Sequence, residues 1–156
     1  MARAPAPRKY DVLGVDLAMT RYAGTPSAAP LANADSWGSL DLQVAGSDLG
    51  ALSGRANLAQ ALTLRLLTEK GALTDLGHPD YGSRLVSLIG SRNDQAARNL
   101  ARLYVIEAVR QEARVRALTA LAVTPVPGRP DTLRIDLSVT PINDADPLSL
   151  TLEVAL

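Results

Sequence analysis

The end of the chain constrains the fold most. Leu133, Ile135, Leu137 and Val139 alternate strictly with Arg134, Asp136 and Ser138, and Leu148, Leu150, Leu152 and Val154 alternate as strictly with Ser149, Thr151 and Glu153. Successive side chains of an extended strand point to opposite faces, so a sustained period of two marks a strand with one face buried. Leu118 to Thr124 is apolar and partly alternating, which suggests a third strand. Pro125-Val126-Pro127-Gly128-Arg129-Pro130 and Pro141-Ile142-Asn143-Asp144 separate the runs. Three consecutive strands broken this way form an antiparallel meander with one apolar face, and other elements must cover it.

The middle of the chain supplies those elements. Ser53 is a plausible N-cap for a helix to about Lys70, because Leu58, Leu62 and Leu66 recur every fourth residue with Ala59 beside them. Gly71 follows where a left-handed residue ends a helix. His78-Pro79-Asp80-Tyr81-Gly82 is a turn by composition. A short helix from Arg84 to Ile89 is expected next, presenting Leu85, Leu88 and Ile89 inward. Asn93 or Asp94 can then cap a longer helix to about Glu112, with Ala97, Leu100, Tyr104 and Ala108 on one stripe. The expectation is an α+β fold: helices followed by a C-terminal three-stranded antiparallel sheet, with an N-terminal extension.

That extension is read as an arm over residues 1–48, with the α+β domain over 49–156. Alternating Ala and Pro from Met1 to Arg8 give neither helix nor ladder partners. Tyr10 to Leu17 suggests a short strand, Thr20 to Ser36 a loop, and Leu40, Leu42 and Val44 another strand. Trp37 would anchor the arm on the domain or on a partner. The N-terminus lacks the apolar stretch of a secretory signal, and runs such as Leu103 to Ile106 are too short to cross a bilayer. The expected location is cytoplasmic.

Composition removes several function classes. Sixteen basic and sixteen acidic residues cancel without a block of one sign, so neither nucleic acid nor a membrane is the expected partner. The chain has no Cys and one His, His78, so thiolate and multi-histidine metal sites are excluded and no cofactor is expected. A glycosidase needs two carboxylates facing across a cleft, one with a raised pKa. Glu69, Asp75, Asp80, Glu107 and Glu112 are the available acids, each placed at a helix end, a turn or an exposed face. No nucleophile elbow, Walker loop or zinc-protease helix motif occurs.

The segment Asn57-Leu58-Ala59-Gln60-Ala61-Leu62, Arg65-Leu66-Leu67-Thr68, Gly71 and His78-Pro79-Asp80-Tyr81-Gly82-Ser83-Arg84-Leu85 resembles the baseplate wedge family of contractile-tailed phages and extracellular contractile injection systems, some of whose members are labelled lysozyme-like. The resemblance runs from about Leu49 to the C-terminus. It implies a non-enzymatic subunit of a six-fold baseplate whose partners are other baseplate wedge proteins, the contractile sheath protein and the inner tube or hub. Family members carry Glu-Pro-Arg where the long helix meets the sheet, and Glu112-Ala113-Arg114 holds that place here, without the Pro that makes the turn rigid. By resemblance, Glu112 and Arg114 dock on the wedge bundle. The resemblance likewise implies that the terminal strand, Leu148, Ser149, Leu150, Thr151, Leu152, Glu153 and Val154, pairs with a sheath strand and that Pro79, Asp80, Tyr81 and Gly82 form the characteristic turn. An unpaired strand edge is independently a template for adding a strand. The rival readings are a peptidoglycan-cleaving lysozyme-like enzyme and a free-standing adaptor that binds peptides by strand addition.

Overall fold

The computed structural model describes residues 11–21, 33–34, 40–142 and 144–156. The expectations for Met1 to Arg8 and for Trp37 lie outside the described residues.

A 3-10 turn, Asp11–Leu13, opens the described chain where a strand was expected, and the strand follows it as β1 (Val15–Leu17). Next come β2 (Met19–Arg21), β3 (Asn33–Ala34), β4 (Leu40–Leu42), β5 (Val44–Ala45), β6 (Asp48–Leu49) and β7 (Ala51–Ser53). The stretch read as a loop from Thr20 to Ser36 therefore holds the end of β2 and all of β3. Three antiparallel ribbons form: β1 with β7, β2 with β4, and β5 with β6. They meet where Ala18 N donates to Gly50 O at 2.7 Å, Gly50 N to Gln43 O at 2.7 Å and Gln43 N to Ala18 O at 2.8 Å. This closed ring of backbone bonds splits the strand expected over Leu40 to Val44, because Gln43 bonds to the junction between the two ribbons.

Helix α1 (Gly54–Leu67) begins after Ser53, which has the extended backbone of an N-cap but makes no side-chain cap bond. It stops short of Lys70, as Thr68 leaves helical geometry and its hydroxyl donates to Leu64 O at 2.7 Å, satisfying one terminal carbonyl. A 3-10 helix over Arg84–Leu88 buries Leu85 and Leu88, three residues apart and thus eclipsed. Ile89 falls off that face and is exposed, contrary to expectation. Helix α2 (Gln95–Arg110) is capped by Asp94, whose carboxylate accepts from Ala97 N at 2.9 Å. Its buried stripe is Ala97, Ala101, Val105 and Ala108. Leu100 and Tyr104 each precede that stripe by one residue, about 100° around the helix, so Leu100 is exposed and Tyr104 only partly buried.

Strands β8 (Val115–Val126), β9 (Arg129–Pro141) and β10 (Leu148–Ala155) form the expected antiparallel meander. They run further into the proline-rich breaks than the pattern suggested, leaving only Pro127-Gly128 as the first turn, with Gly128 at φ 77°. Such a turn suits Pro followed by a residue with positive φ. Ile135 faces Leu152 and Val123 across the ladders, and Leu137 faces Leu150 and Leu121. This apolar side joins Leu58, Leu62 and Leu66 of α1 and Ala101, Val105 and Val109 of α2 in one core. Burying each Leu or Val contributes about 1.5–3 kcal/mol before ordering costs. Leu13 is fully buried in the same core, so the 3-10 turn at Asp11–Leu13 belongs to it. The sheet also has a fourth strand: β3 pairs parallel with β10, Asn33 opposite Thr151 and Ala34 opposite Leu152.

Candidate functional site

The turn from α2 into β8 positions Glu112 and Arg114. Val115 N donates to Glu112 O at 3.0 Å, closing a β-turn across Ala113 without the expected Pro, and Ile142 N donates to Arg114 O at 2.9 Å. Glu112 is buried, although a helix-end carboxylate is ordinarily solvated. Its Oε1 accepts from Arg114 Nε at 2.7 Å and its Oε2 from Arg65 Nη2 at 3.4 Å. Burial pushes the Glu112 carboxyl up, but the hydrogen bond and charge of Arg114, helped by Arg65, outweigh it and hold the carboxyl below its ordinary value. The same bond raises the Arg114 guanidinium above its ordinary value against the opposing effect of burial.

Arg114 reaches further. Its Nη1 donates to Leu13 O at 3.2 Å, and that carbonyl also accepts from Asn57 Nδ2 of α1 at 2.9 Å. Gln60, one helical turn on, brackets β1 and β2: its Nε2 donates to Leu17 O and its Oε1 accepts from Met19 N, both at 2.8 Å. Asn57 and Gln60 thus clasp the N-terminal segment. Sequence reasoning placed them on a helix and in the segment that carries the family resemblance, without a role; two buried amides one turn apart on an apolar face were the available signal, since such groups need partners.

The Pro79 to Gly82 turn meets this network through Arg65, whose guanidinium lies 4.4 Å over the Tyr81 ring. Burial raises the Tyr81 hydroxyl above its ordinary value. Pro79 and Asp80 are exposed, as is His78. Gly82 has φ 104° and lies so close to the end of α1 that a Cβ there would stand 2.6 Å from Glu69 O. Arg65, His78, Pro79, Asp80, Tyr81 and Gln111 line an open cleft of about 510 Å³ beside the junction. Arg65 Nε at its edge is buried without a hydrogen-bond partner.

The terminal strand stands apart, with no described hydrogen bond linking Leu148 to Val154 with Glu112, Arg114 or Tyr81. Leu150, Leu152 and Val154 are buried, and Leu148 partly so. On the other face Ser149 is exposed, Thr151 donates to Asp136 Oδ1 at 2.7 Å and Glu153 pairs with Arg129. The β10 edge expected to stand open carries β3 over Thr151 and Leu152. The outer edge of β8 carries no strand among the described residues.

The five acids do not converge on a cleft. Glu69, Asp75 and Asp80 are exposed, and Glu107 pairs with Lys70 at 2.5 Å, a hydrogen bond that lowers its carboxyl below the ordinary value. Among the described residues no cluster of His and carboxylate groups is able to hold a metal ion, and no helix is long and apolar enough to cross a membrane.

No family model matches the chain, and no curated protein matches it. Among solved structures, a Geobacter sulfurreducens protein that bears the name tail lysozyme matches with a TM-score of 0.55 at 21% identity, over 64% of this chain and 88% of the other. At that identity the likeness is one of fold alone.

Proposed function

We propose that the chain is a structural baseplate subunit of a contractile tail or extracellular contractile injection machine, docked on other wedge proteins and starting the contractile sheath by strand pairing at its C-terminal sheet. The observation that carries this reading is the sheet itself, a meander backed on one face by α1 and α2 and ending in long strands, in a chain whose fold is similar to that of a protein named for a tail. The wedge-like wording of Asn57 to Leu85 and the Glu112-Ala113-Arg114 junction support the same assignment. In this reading the partners are wedge proteins, sheath and the tube or hub in a six-fold particle assembled in the cytoplasm. A sheath strand joining β10 displaces β3, whereas one joining β8 meets an edge that carries no strand among the described residues.

The name of the structural neighbour favours a second reading, a peptidoglycan-cleaving lysozyme. The carboxylates speak against it. A glycosidase acid must be held protonated near neutral pH, yet Glu112, the one buried acid of the five, is kept ionised by two guanidiniums.

The test is whether the chain co-purifies with sheath and baseplate from sheared lysate of its source cells. Absence from such particles would sink the assembly reading. Peptidoglycan turnover by the purified chain, lost on changing Glu69, Asp75, Asp80, Glu107 or Glu112 singly to Gln, would establish the enzyme instead.

A further inference from the structure

The cleft beside the junction holds polar groups of both signs that the chain leaves unanswered. Arg65 lines it from α1, with its side chain only 13% exposed. The carboxylate that Arg65 pairs with is shared: Arg114 holds Glu112 at 2.7 Å, and Arg65 Nη2 reaches it only at 3.4 Å. Arg65 Nε is buried without an acceptor, and Nη1, which is not shut in, has none described. A guanidinium with one long bond keeps most of its five donors on offer, and a carboxylate is the acceptor that matches its planar fork.

The opposite charge stands on the same cleft. Asp80 lies on its rim, exposed, with no described ion pair or side-chain hydrogen bond. The His78 imidazole, the Tyr81 hydroxyl and the Gln111 amide also line it, and none has a described side-chain hydrogen bond. The wall from His78 to Tyr81 is held by its backbone: His78 N donates to Leu73 O at 3.0 Å, Tyr81 N to His78 O at 3.2 Å and Gly71 N to Tyr81 O at 3.2 Å. The cleft is therefore formed before anything enters it, and its volume of about 510 Å³ is that of a small-molecule site.

From this juxtaposition we infer that the cleft binds a small zwitterion, an amino acid or a short peptide, whose carboxylate accepts from Arg65 while its ammonium donates to Asp80. A ligand with only negative charge would be drawn to Arg65 and repelled by Asp80, and one with only positive charge the reverse, so the pair selects a molecule that carries both. His78 and Gln111 supply neutral hydrogen bonds to its remaining polar atoms. Arg65 comes from α1, Asp80 from the turn after it and Gln111 from the end of α2. An occupant thus braces three segments, and binding to the folded chain alone raises its stability. The inference rests on the cleft and is independent of the assembly reading.

The experiment titrates the full chain with alanine and with alanyl-alanine, each also acetylated at its amine or amidated at its carboxylate, and reads amide NMR shifts and the melting temperature. The free forms are expected to shift the Gly77, Asp80, Tyr81 and Gln111 amides and to raise the melting temperature. Each should bind about tenfold or more tightly than its own blocked forms, which lose one charge-assisted hydrogen bond. The tighter of the two free forms names the source, amino acid or peptide. Asp80→Asn, at an exposed position, should leave the melting temperature of the unliganded chain unchanged and remove the advantage over the acetylated form alone. Arg65→Lys, which keeps the charge and loses the fork, should weaken every form that carries a carboxylate. No shift at these amides with any probe, shifts centred elsewhere, equal binding of free and blocked forms, or an advantage over the acetylated form that survives Asp80→Asn would each overturn the inference. None of these results bears on whether the chain sits in sheath-bearing particles, so the two failures remain distinguishable.

Discussion

The Glu112 carboxylate accepts the Arg114 Nε–H at 2.7 Å inside the turn that joins α2 to β8, and Arg114 in turn holds the Leu13 carbonyl at 3.2 Å. The junction is therefore an internal clasp between the helix end, the sheet and the N-terminal segment. Removing one partner of a buried charge pair costs about 3–5 kcal/mol, because the other charge is left uncompensated. Glu112→Lys places a third cation beside Arg65 and Arg114 and should lower the unfolding free energy by that order or more, read by urea denaturation. Arg114, partly exposed, should cost less on truncation to Ala. Equal stability of the wild type and Glu112→Lys would refute the clasp.

The same carboxylate ties stability to acid. Its folded pKa lies below the ordinary 4.5, so its contribution is fully present above that value and is lost as pH falls through the lower folded value. Urea midpoints measured from neutral pH downward should fall below about pH 4.5 more steeply for the wild type than for Glu112→Gln. Parallel curves would assign the acid sensitivity to other carboxylates.

Ala113 occupies the second position of the turn closed by Val115 N and Glu112 O, and its own N–H has no described acceptor. Pro fits such a position and narrows the unfolded ensemble. Ala113→Pro should therefore stabilise the chain by roughly 0.4–1 kcal/mol, visible as a raised melting temperature. A loss of stability would mean that Glu112 cannot adopt the backbone a following proline requires.

Two glycines separate backbone strain from collision. Gly82 and Gly128 both have positive φ, but a Cβ on Gly128 meets nothing within 4 Å, while one on Gly82 meets Glu69 O at 2.6 Å and Thr68 O at 2.8 Å. Gly128→Ala should cost only the left-handed penalty of roughly 1–2 kcal/mol. Gly82→Ala should cost clearly more, because the backbone after α1 must shift. Similar urea midpoints for the two variants would show that this approach is not tight in solution.

Much of the fold was legible because it is written in side-chain period. The alternation from Leu133 to Val139 and from Leu148 to Val154 determined two strands and the face each buries, and Leu58, Leu62 and Leu66 determined α1, since burial of a repeating face is a local property of the chain. The helix at Gln95 and the turn at Pro127-Gly128 followed from capping and turn chemistry equally close at hand. What tertiary structure alone decided was where polar groups find partners. Arg114 and Leu13 are separated by 101 positions, Glu112 and Arg65 by 47, and Gln60 and Leu17 by 43. The parallel addition of Asn33 and Ala34 to β10, which covers the edge expected to be open, is likewise a meeting of distant segments. A carboxylate at a helix end reads as solvated until another part of the chain buries it, and an alternating strand carries no mark of which edge will be taken. Those outcomes depend on long-range packing, which leaves no local period to read.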